Sequence, residues 1–390
     1  MDPKPLNILI VAGEESGDLH GGNLVAVMKS LRPDIAFAGM GGRKMRQAGT
    51  DTFLGIDRMG TVGLVEIFGN IIHYVKVYRK LASEIASKKY AAAILIDYPT
   101  LNLRLAKLCK RAGCPVFYFI SPQVWAWRKG RIEDIRKTVA KMFVVFPFEE
   151  PMYREAGVDV EFVGHPFLEL VKPTMSRDAA LAAFGLKEGA KIVGILPGSR
   201  KNEVNSLLDI MVAAAGRIKA EIPDCQFILP IADSINPDYV RDKLGSNPLS
   251  IRTVAGKSHD VMNCADFLII ASGSATLEAG MLGCPMAVIY KLNPLTYQVA
   301  KLLVKIEHFG LVNIVAGERV VPELLQDEVT PDNIAREALR VLKDPACAAA
   351  TRSRLLRIRD SMGSPGVAVR VAQNILKALD PCATHEKTVC

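Results

Sequence analysis

The sequence predicts an α/β protein of two doubly wound domains, on three observations. Short β-branched and aromatic runs alternate with stretches of helical period, the pattern of parallel α/β architecture. The alternation starts over after residue 190, as a second domain would. In each half a strand runs into a glycine- and serine-bearing turn that opens a helix: Val11-Ala12-Gly13-Glu14-Glu15-Ser16-Gly17-Asp18 in the first, Leu196-Pro197-Gly198-Ser199-Arg200 in the second. Ligands of doubly wound sheets sit outside the carboxyl ends of the strands, so both turns are expected to face a cleft between the domains.

Taken in order, first-domain strands are expected at 7–12, 35–40, 92–97, 116–120, 142–146 and 160–163, each a short run of branched or aromatic side chains. Helices are expected at 23–31, 101–111 and 131–139, where apolar residues recur at helical spacing. The prolines of Gly164-His165-Pro166 and Val171-Lys172-Pro173-Thr174 break helix and ladder alike and mark the joint. Second-domain strands follow at 191–196, 226–230, 250–254, 266–271 and 285–290. Strand signals then fade, and helices are expected at 332–342, 346–362 and 366–379. The domains are therefore read as 1–165, 166–345 and a helical tail, 346–390.

At 390 residues the chain exceeds what one core supports, and 49% hydrophobic with 23% charged residues is a globular balance. Its first residues carry Asp2, Pro3 and Pro5 ahead of one short apolar run, unlike a secretory signal. The apolar stretch 59–81 is interrupted by Glu66, His73, Lys76, Arg79 and Lys80, which a spanning helix would not tolerate. The eight cysteines form no Cys-x-x-Cys pair and read as free thiols in a reducing cytosol. The six histidines are dispersed, and no metal site or cofactor motif is found. A net charge of +8 favours anionic partners, and without an aromatic-studded basic stripe it points to anionic lipid or sugar phosphate rather than nucleic acid.

Several segments carry chemistry, each with a plainer alternative. Gly198-Ser199-Arg200-Lys201 offers N–H groups and a guanidinium suited to a diphosphate, or is an ordinary helix start. Ala271-Ser272-Gly273-Ser274-Ala275-Thr276-Leu277-Glu278 lets a ligand approach the backbone and sets Glu278 to accept from ribose hydroxyls, or serves close packing and the helix dipole. Asp97, before Tyr98-Pro99-Thr100-Leu101-Asn102, stands where a general base would be placed, or caps the next helix. Trp125 and Trp127 in Ser121–Arg128 line a site or one face of the core. Met59-Gly60-Thr61-Val62-Gly63-Leu64-Val65-Glu66-Ile67-Phe68-Gly69, ahead of Lys76, Arg79 and Lys80, suits acyl chains or an anionic membrane, or is a buried helix with a basic end. Gly39-Met40-Gly41-Gly42 starts like a dinucleotide fingerprint, but Lys44 stands where its last glycine belongs.

Together these segments, with Phe146-Pro147-Phe148-Glu149, Gly164-His165-Pro166, Asn313 and Ala316-Gly317, resemble the lipid-A-disaccharide synthase family across nearly the whole chain. The resemblance implies an inverting, metal-independent glycosyltransferase of the GT-B fold, with the last helices packing back on the first domain. It implies transfer from UDP-2,3-diacylglucosamine to 2,3-diacylglucosamine 1-phosphate, giving a β-1,6-linked disaccharide and UDP. By the same resemblance the protein works in the cytoplasm, peripherally on the inner-membrane lipid surface, with a homodimer among its allowed assemblies. Asp97 is then the candidate base, with Glu14 the next carboxylate. Gly198, Ser199, Arg200, Ser272, Gly273, Ser274, Ala275, Thr276, Glu278 and Asn313 would hold UDP. Ser16, Met59, Val62, Val65, Phe68, Trp125 and Trp127 would meet the acceptor or lipid. The chain departs from the family pattern at Glu15 and Val312, where proline is common, and at Thr100, where an acid is common, which leaves Asp97 as the carboxylate of its loop. Two rivals stand beside this reading: a UDP-N-acetylglucosamine 2-epimerase of the same architecture, and a non-catalytic module that docks on lipid.

Overall fold

The computed structural model describes residues 6–56, 66–122, 130–245, 249–292 and 307–380, with side chains of 66–71 excepted. The chain divides into two compact units, Met1–Pro166 with Met362–Cys390 and Phe167–Ser361.

In the first unit, β1 (Asn7–Ala12), β2 (Ala36–Met40), β3 (Thr50–Leu54), β4 (Ala92–Ile96), β5 (Val116–Phe119), β6 (Lys141–Val144) and β7 (Val160–Phe162) form a seven-stranded sheet. Its order is β3-β2-β1-β4-β5-β6-β7, and all its pairings are parallel. β4 and β5 are buried along their whole length, because helices cover both faces of such a sheet and leave no polar side. The strand order reverses between β1 and β4, which opens a crevice at their carboxyl ends, where Gly13-Glu14 and Asp97 follow. The core pairs Leu9, Val11, Leu95 and Tyr118 of the sheet with Leu81, Leu101, Leu105 and Tyr153 of the helices.

In the second unit, β8 (Ile192–Leu196), β9 (Gln226–Ile231), β10 (Arg252–Ala255), β11 (Phe267–Ala271), β12 (Met286–Tyr290) and β13 (Glu323–Leu325) run in the order β10-β9-β8-β11-β12-β13, again parallel throughout. The reversal here lies between β8 and β11, so the Gly198 and Ser272 turns share one crevice. Asp260, nearly inaccessible, accepts from Thr174 N at 2.6 Å, Thr174 Oγ1 at 2.7 Å and Met175 N at 2.9 Å, tying the segment that enters this unit to the helix Ser258–Cys264.

The structure differs from the sequence reading in three respects. β3 and β13 were not expected; both are edge strands, and β3 opens on Thr50, Asp51 and Thr52, too polar to stand out. The first helix spans Glu15–Leu31, starting well before residue 23, and Gly21 and Gly22 lie inside it. Those glycines allow close approach: a Cβ on Gly22 would stand 2.9 Å from the Lys44 backbone. In the tail, Pro345–Ser361 stays with the second unit rather than returning, and Val367–Leu379 packs against the helix Glu15–Leu31. Arg370 secures that last helix by donating to the Val163 carbonyl from Nε at 2.9 Å and Nη2 at 2.7 Å. Among the described residues no helix is long and apolar enough to cross a membrane.

The donors around Asp260 hold its carboxyl below the ordinary range despite burial. Its stabilisation is therefore present above the unfolded carboxylate's pKa and lost as pH falls through the lower folded value. Asp260→Asn, which sets an amide against these donors, should cost the second unit about 2–4 kcal/mol at neutral pH. In urea melts the gap from wild type should narrow steadily below about pH 4.

Candidate functional site

The first unit's crevice is built on a backbone elbow. β4 ends at Ile96, and Asp97 and Tyr98 both adopt left-handed φ values, +46° and +45°, before the helix Pro99–Ala112 begins with proline in its first turn. The Asp97 amide donates to Phe119 O at 3.0 Å, a last ladder bond to β5. Tyr98 takes the N-cap position and its side chain makes no capping bond, so Asp97 stands one residue ahead of the place its helix-cap alternative requires. Burial, then the charge of Glu14, pushes the Asp97 carboxyl up to about 6, against a partial offset from the Tyr98 N–H. That range suits a group that takes a proton near neutrality.

Glu14 is exposed at the N-cap of the helix Glu15–Leu31 and makes no capping bond, and Ser16 is exposed in its first turn. Gly13 lies beneath the Tyr98 ring, where a Cβ would come within 2.3 Å of it. Ser121 donates to the buried Glu149 at 2.5 Å, and Glu149 also accepts from Phe146 N at 3.2 Å, so the Phe146-Pro147-Phe148-Glu149 motif holds the turn after β5. His165 is buried against the Phe146 ring, with centroids 5.1 Å apart, and burial followed by the charge of His20 lowers its pKa to about 3. Met59, Val62, Val65, Trp125 and Trp127 lie outside the described residues. Phe68 falls in the helix Glu66–Ala86, but its side chain is outside the description.

In the second unit the turn after β8 has Gly198 at φ +113°, with its missing side chain leaving room for Glu203. Glu203 reaches back from the first turn of the helix Lys201–Glu221 to accept from Ser199 N at 2.9 Å and Arg200 N at 3.2 Å. Its other oxygen accepts from Arg200 Nη1 at 2.9 Å. The N–H groups expected to face a diphosphate face the Glu203 carboxylate instead, in the capping box of an ordinary helix start. The Arg200 side chain is 80% exposed and can leave its partner at little cost.

After β11, Ser272 donates to Phe309 O at 3.1 Å, Gly273 and Ser274 are exposed, and Thr276 is buried and donates to Gly273 O at 2.8 Å. Ala275 is half-buried in the same turn. Glu278 is held from two sides, by Ser274 Oγ at 3.1 Å and His259 Nε2 at 2.9 Å. Glu278 and His259 border a cavity of about 290 Å³ that also takes in Asp233, Gly256, Lys257 and Thr174. The cavity was not foreseen, because its walls come from turns after β9 and β10 that carry no motif.

Asn313 behaves otherwise than expected of a UDP ligand. It is fully buried; Nδ2 donates to Val321 O and Glu323 Oε1, both at 2.9 Å, while Oδ1 accepts from Val320 N at 2.9 Å and Val321 N at 3.1 Å. With donors and acceptor all engaged, the amide holds the segment 310–323 in place rather than reaching a ligand. Among the described residues no group of three or more His, Cys, Asp or Glu could hold a metal ion.

The sheets and their order are those of GT-B proteins. The structure of a UDP-N-acetylglucosamine 2-epimerase from Listeria monocytogenes is similar at TM-score 0.63 and 13% identity, over 96% of each chain. The glycosyltransferase of kitacinnamycin is similar at TM-score 0.62 and 17% identity, over 97% of this chain and all of that one. Such likeness shows the fold alone and leaves epimerase and transferase level. Sequence separates them: the family model described as lipid-A-disaccharide synthetase matches residues 8–364. The lipid-A-disaccharide synthase of Geobacter sulfurreducens is 46% identical over 372 residues, 95% of this chain and 97% of that one. With the match running over nearly its whole length, the chain belongs to the lipid-A-disaccharide synthase family of glycosyltransferases.

Proposed function

We propose that the protein transfers 2,3-diacylglucosamine from its UDP ester to the 6-hydroxyl of 2,3-diacylglucosamine 1-phosphate, with inversion and without a metal. The acceptor oxygen bonds to the donor's anomeric carbon, the bond from that carbon to the diphosphate oxygen breaks, and the hydroxyl proton passes to Asp97. UDP leaves with the diphosphate charge met by Arg200 and the N–H groups of Ser199 and Ser274 once the phosphates displace Glu203. The Glu278 carboxylate, turned by His259 and Ser274 toward the cavity, would take the ribose hydroxyls, with Gly198, Ser272, Gly273, Ala275 and Thr276 shaping the approach. Asn313 acts here as a positioning residue. The observation that carries the reading is the Asp97 carboxyl, half-buried at a strand's carboxyl end beside Glu14 and poised near 6, in a family named for this reaction.

The substrates are acylated, so the enzyme must work at a lipid surface. The helix Glu66–Ala86 supports this: Ile72 is 64% and Val75 38% exposed, and Lys76, Arg79 and Lys80 are exposed beyond them. An apolar pair ahead of a basic cluster suits the anionic face of the inner membrane.

Four outcomes test this reading. Asp97→Asn keeps the shape but takes no proton, so turnover should fall roughly a hundred- to ten-thousandfold with folding and UDP binding retained. Because the base must be unprotonated, wild-type turnover should decline as pH falls through about 6. In thermal melts UDP should raise the midpoint, and Arg200→Ala should remove most of that shift; an undiminished shift would take Arg200 out of the diphosphate site. Finally, Ile72→Ser with Val75→Ser should lower binding to anionic vesicles about tenfold or more, with the melting temperature unchanged because both positions are exposed.

A further inference from the structure

Two consecutive residues with side chains, Asp97 and Tyr98, sit in the left-handed region that L-residues disfavour, and such an elbow persists only where its surroundings enforce it. Here the enforcement converges on one atom. The Asp97 carbonyl accepts from Tyr118 Oη at 2.6 Å and from Asn102 Nδ2 at 2.8 Å. Asn102 Nδ2 also donates to the Ile96 carbonyl at 3.0 Å. Both side chains are fully buried, and they come from different elements, β5 and the helix Pro99–Ala112.

Asn102 holds this arrangement at a cost. Its Oδ1 is buried without a partner among the described residues, a state that folded proteins seldom retain. Its neighbours on the buried face of the helix are Leu101, Leu103, Leu105, Ala106 and Cys109, where an aliphatic side chain would pack without that penalty. What the amide alone offers at this position is its donors. The Tyr118 hydroxyl likewise brings a polar group into the core and gives its proton to the same carbonyl.

We propose that Asn102 and Tyr118 are positioning residues for the transfer reaction, clamping the Asp97 carbonyl so that the left-handed elbow presents the carboxyl at the strand end. The proposal rests on Asp97 being the base. Successive side chains of a strand point to opposite faces, so relaxation of residue 97 toward strand geometry would swing its carboxyl away from that position. The clamp therefore acts on the chemical step and not on the grip of UDP, whose candidate residues lie on the other unit. It also keeps the carboxyl in its half-buried setting, where the titratable groups that face it are Glu14, on the turn after β1, and Tyr118.

Tyr118→Phe removes one hydroxyl at constant shape, and Asn102→Ala removes the amide. Each should lower kcat about tenfold or more while KM for the UDP-sugar stays within about twofold. The acid limb of the pH–rate profile, near 6 in the wild type, should move toward the ordinary carboxylate range as the released carboxyl reaches water. A far-UV circular dichroism spectrum and melting profile matching wild type's identify the variants in which both units are folded, and Tyr118→Phe decides alone if Asn102→Ala does not fold. A kcat within about twofold of wild type, or a fallen kcat with the acid limb unmoved, overturns the clamp. Normal turnover in Asp97→Asn would remove the base itself and the clamp with it, an outcome distinct from failure of the clamp while Asp97→Asn is inactive.

Discussion

Carboxylates taken out of water and met by N–H and O–H donors fix the loops of both units. A buried charge is tolerated only when donors replace the lost water, and a loop that supplies those donors gives up its freedom. Asp18 accepts from the amides of Gly42, Lys44 and Met45, so the Gly39-Met40-Gly41-Gly42 turn serves a carboxylate rather than a dinucleotide. Glu149 holds the turn at Ser121, Asp260 the entry to the second unit, and Glu323 the amides of Phe309 and Gly310 together with Asn313. Loops fixed in this way keep their side chains at set positions relative to the sheets.

Asp97 is the converse. It is half-buried like the others are buried, but the Tyr98 N–H is the one donor that lowers its pKa, and Glu14 adds a like charge. Asp260, with three donors, stays below the ordinary carboxylate range, whereas Asp97 rises to about 6. One residue type is thus an anchor in one place and a candidate base in another, set by burial, by the donors supplied and by the neighbouring charge, Lys257 beside Asp260 and Glu14 beside Asp97. Glu203 lies between the two: it is satisfied by Ser199, Arg200 and the guanidinium, yet it stands near the surface, where an incoming phosphate can compete for the same groups.

The fold was legible wherever burial leaves a mark on composition. β1, β4, β8 and β11 are the central strands, and their nearly unbroken apolar runs follow from helices on both faces. The edge strands β3 and β13 lack that mark. The early start of the helix Glu15–Leu31 was hidden because its glycines, poor helix formers, are there for close packing. In the site, the Asp97, Gly198 and Ser272 turns could be read because strand-to-turn junctions show in sequence. Asn102 and Tyr118 could not, since each looks like one polar group on an apolar element until the backbone brings both to one carbonyl. Asn313 was named a UDP contact only through the family resemblance, which does not show that its amide saturates its own loop.

The first unit is discontinuous in the chain, with its last helix, Val367–Leu379, held by Arg370 at the end of β7. During synthesis this sets an order. The second unit is one unbroken span and has all of its residues once Ser361 clears the ribosome, while the first, although made earlier, still lacks a helix. Until the last helix emerges, Glu15–Leu31 lacks the element that packs against it. The half of the molecule translated first is therefore the half completed last, and a nascent chain stalled short of residue 362 would carry a finished second unit beside an unfinished first.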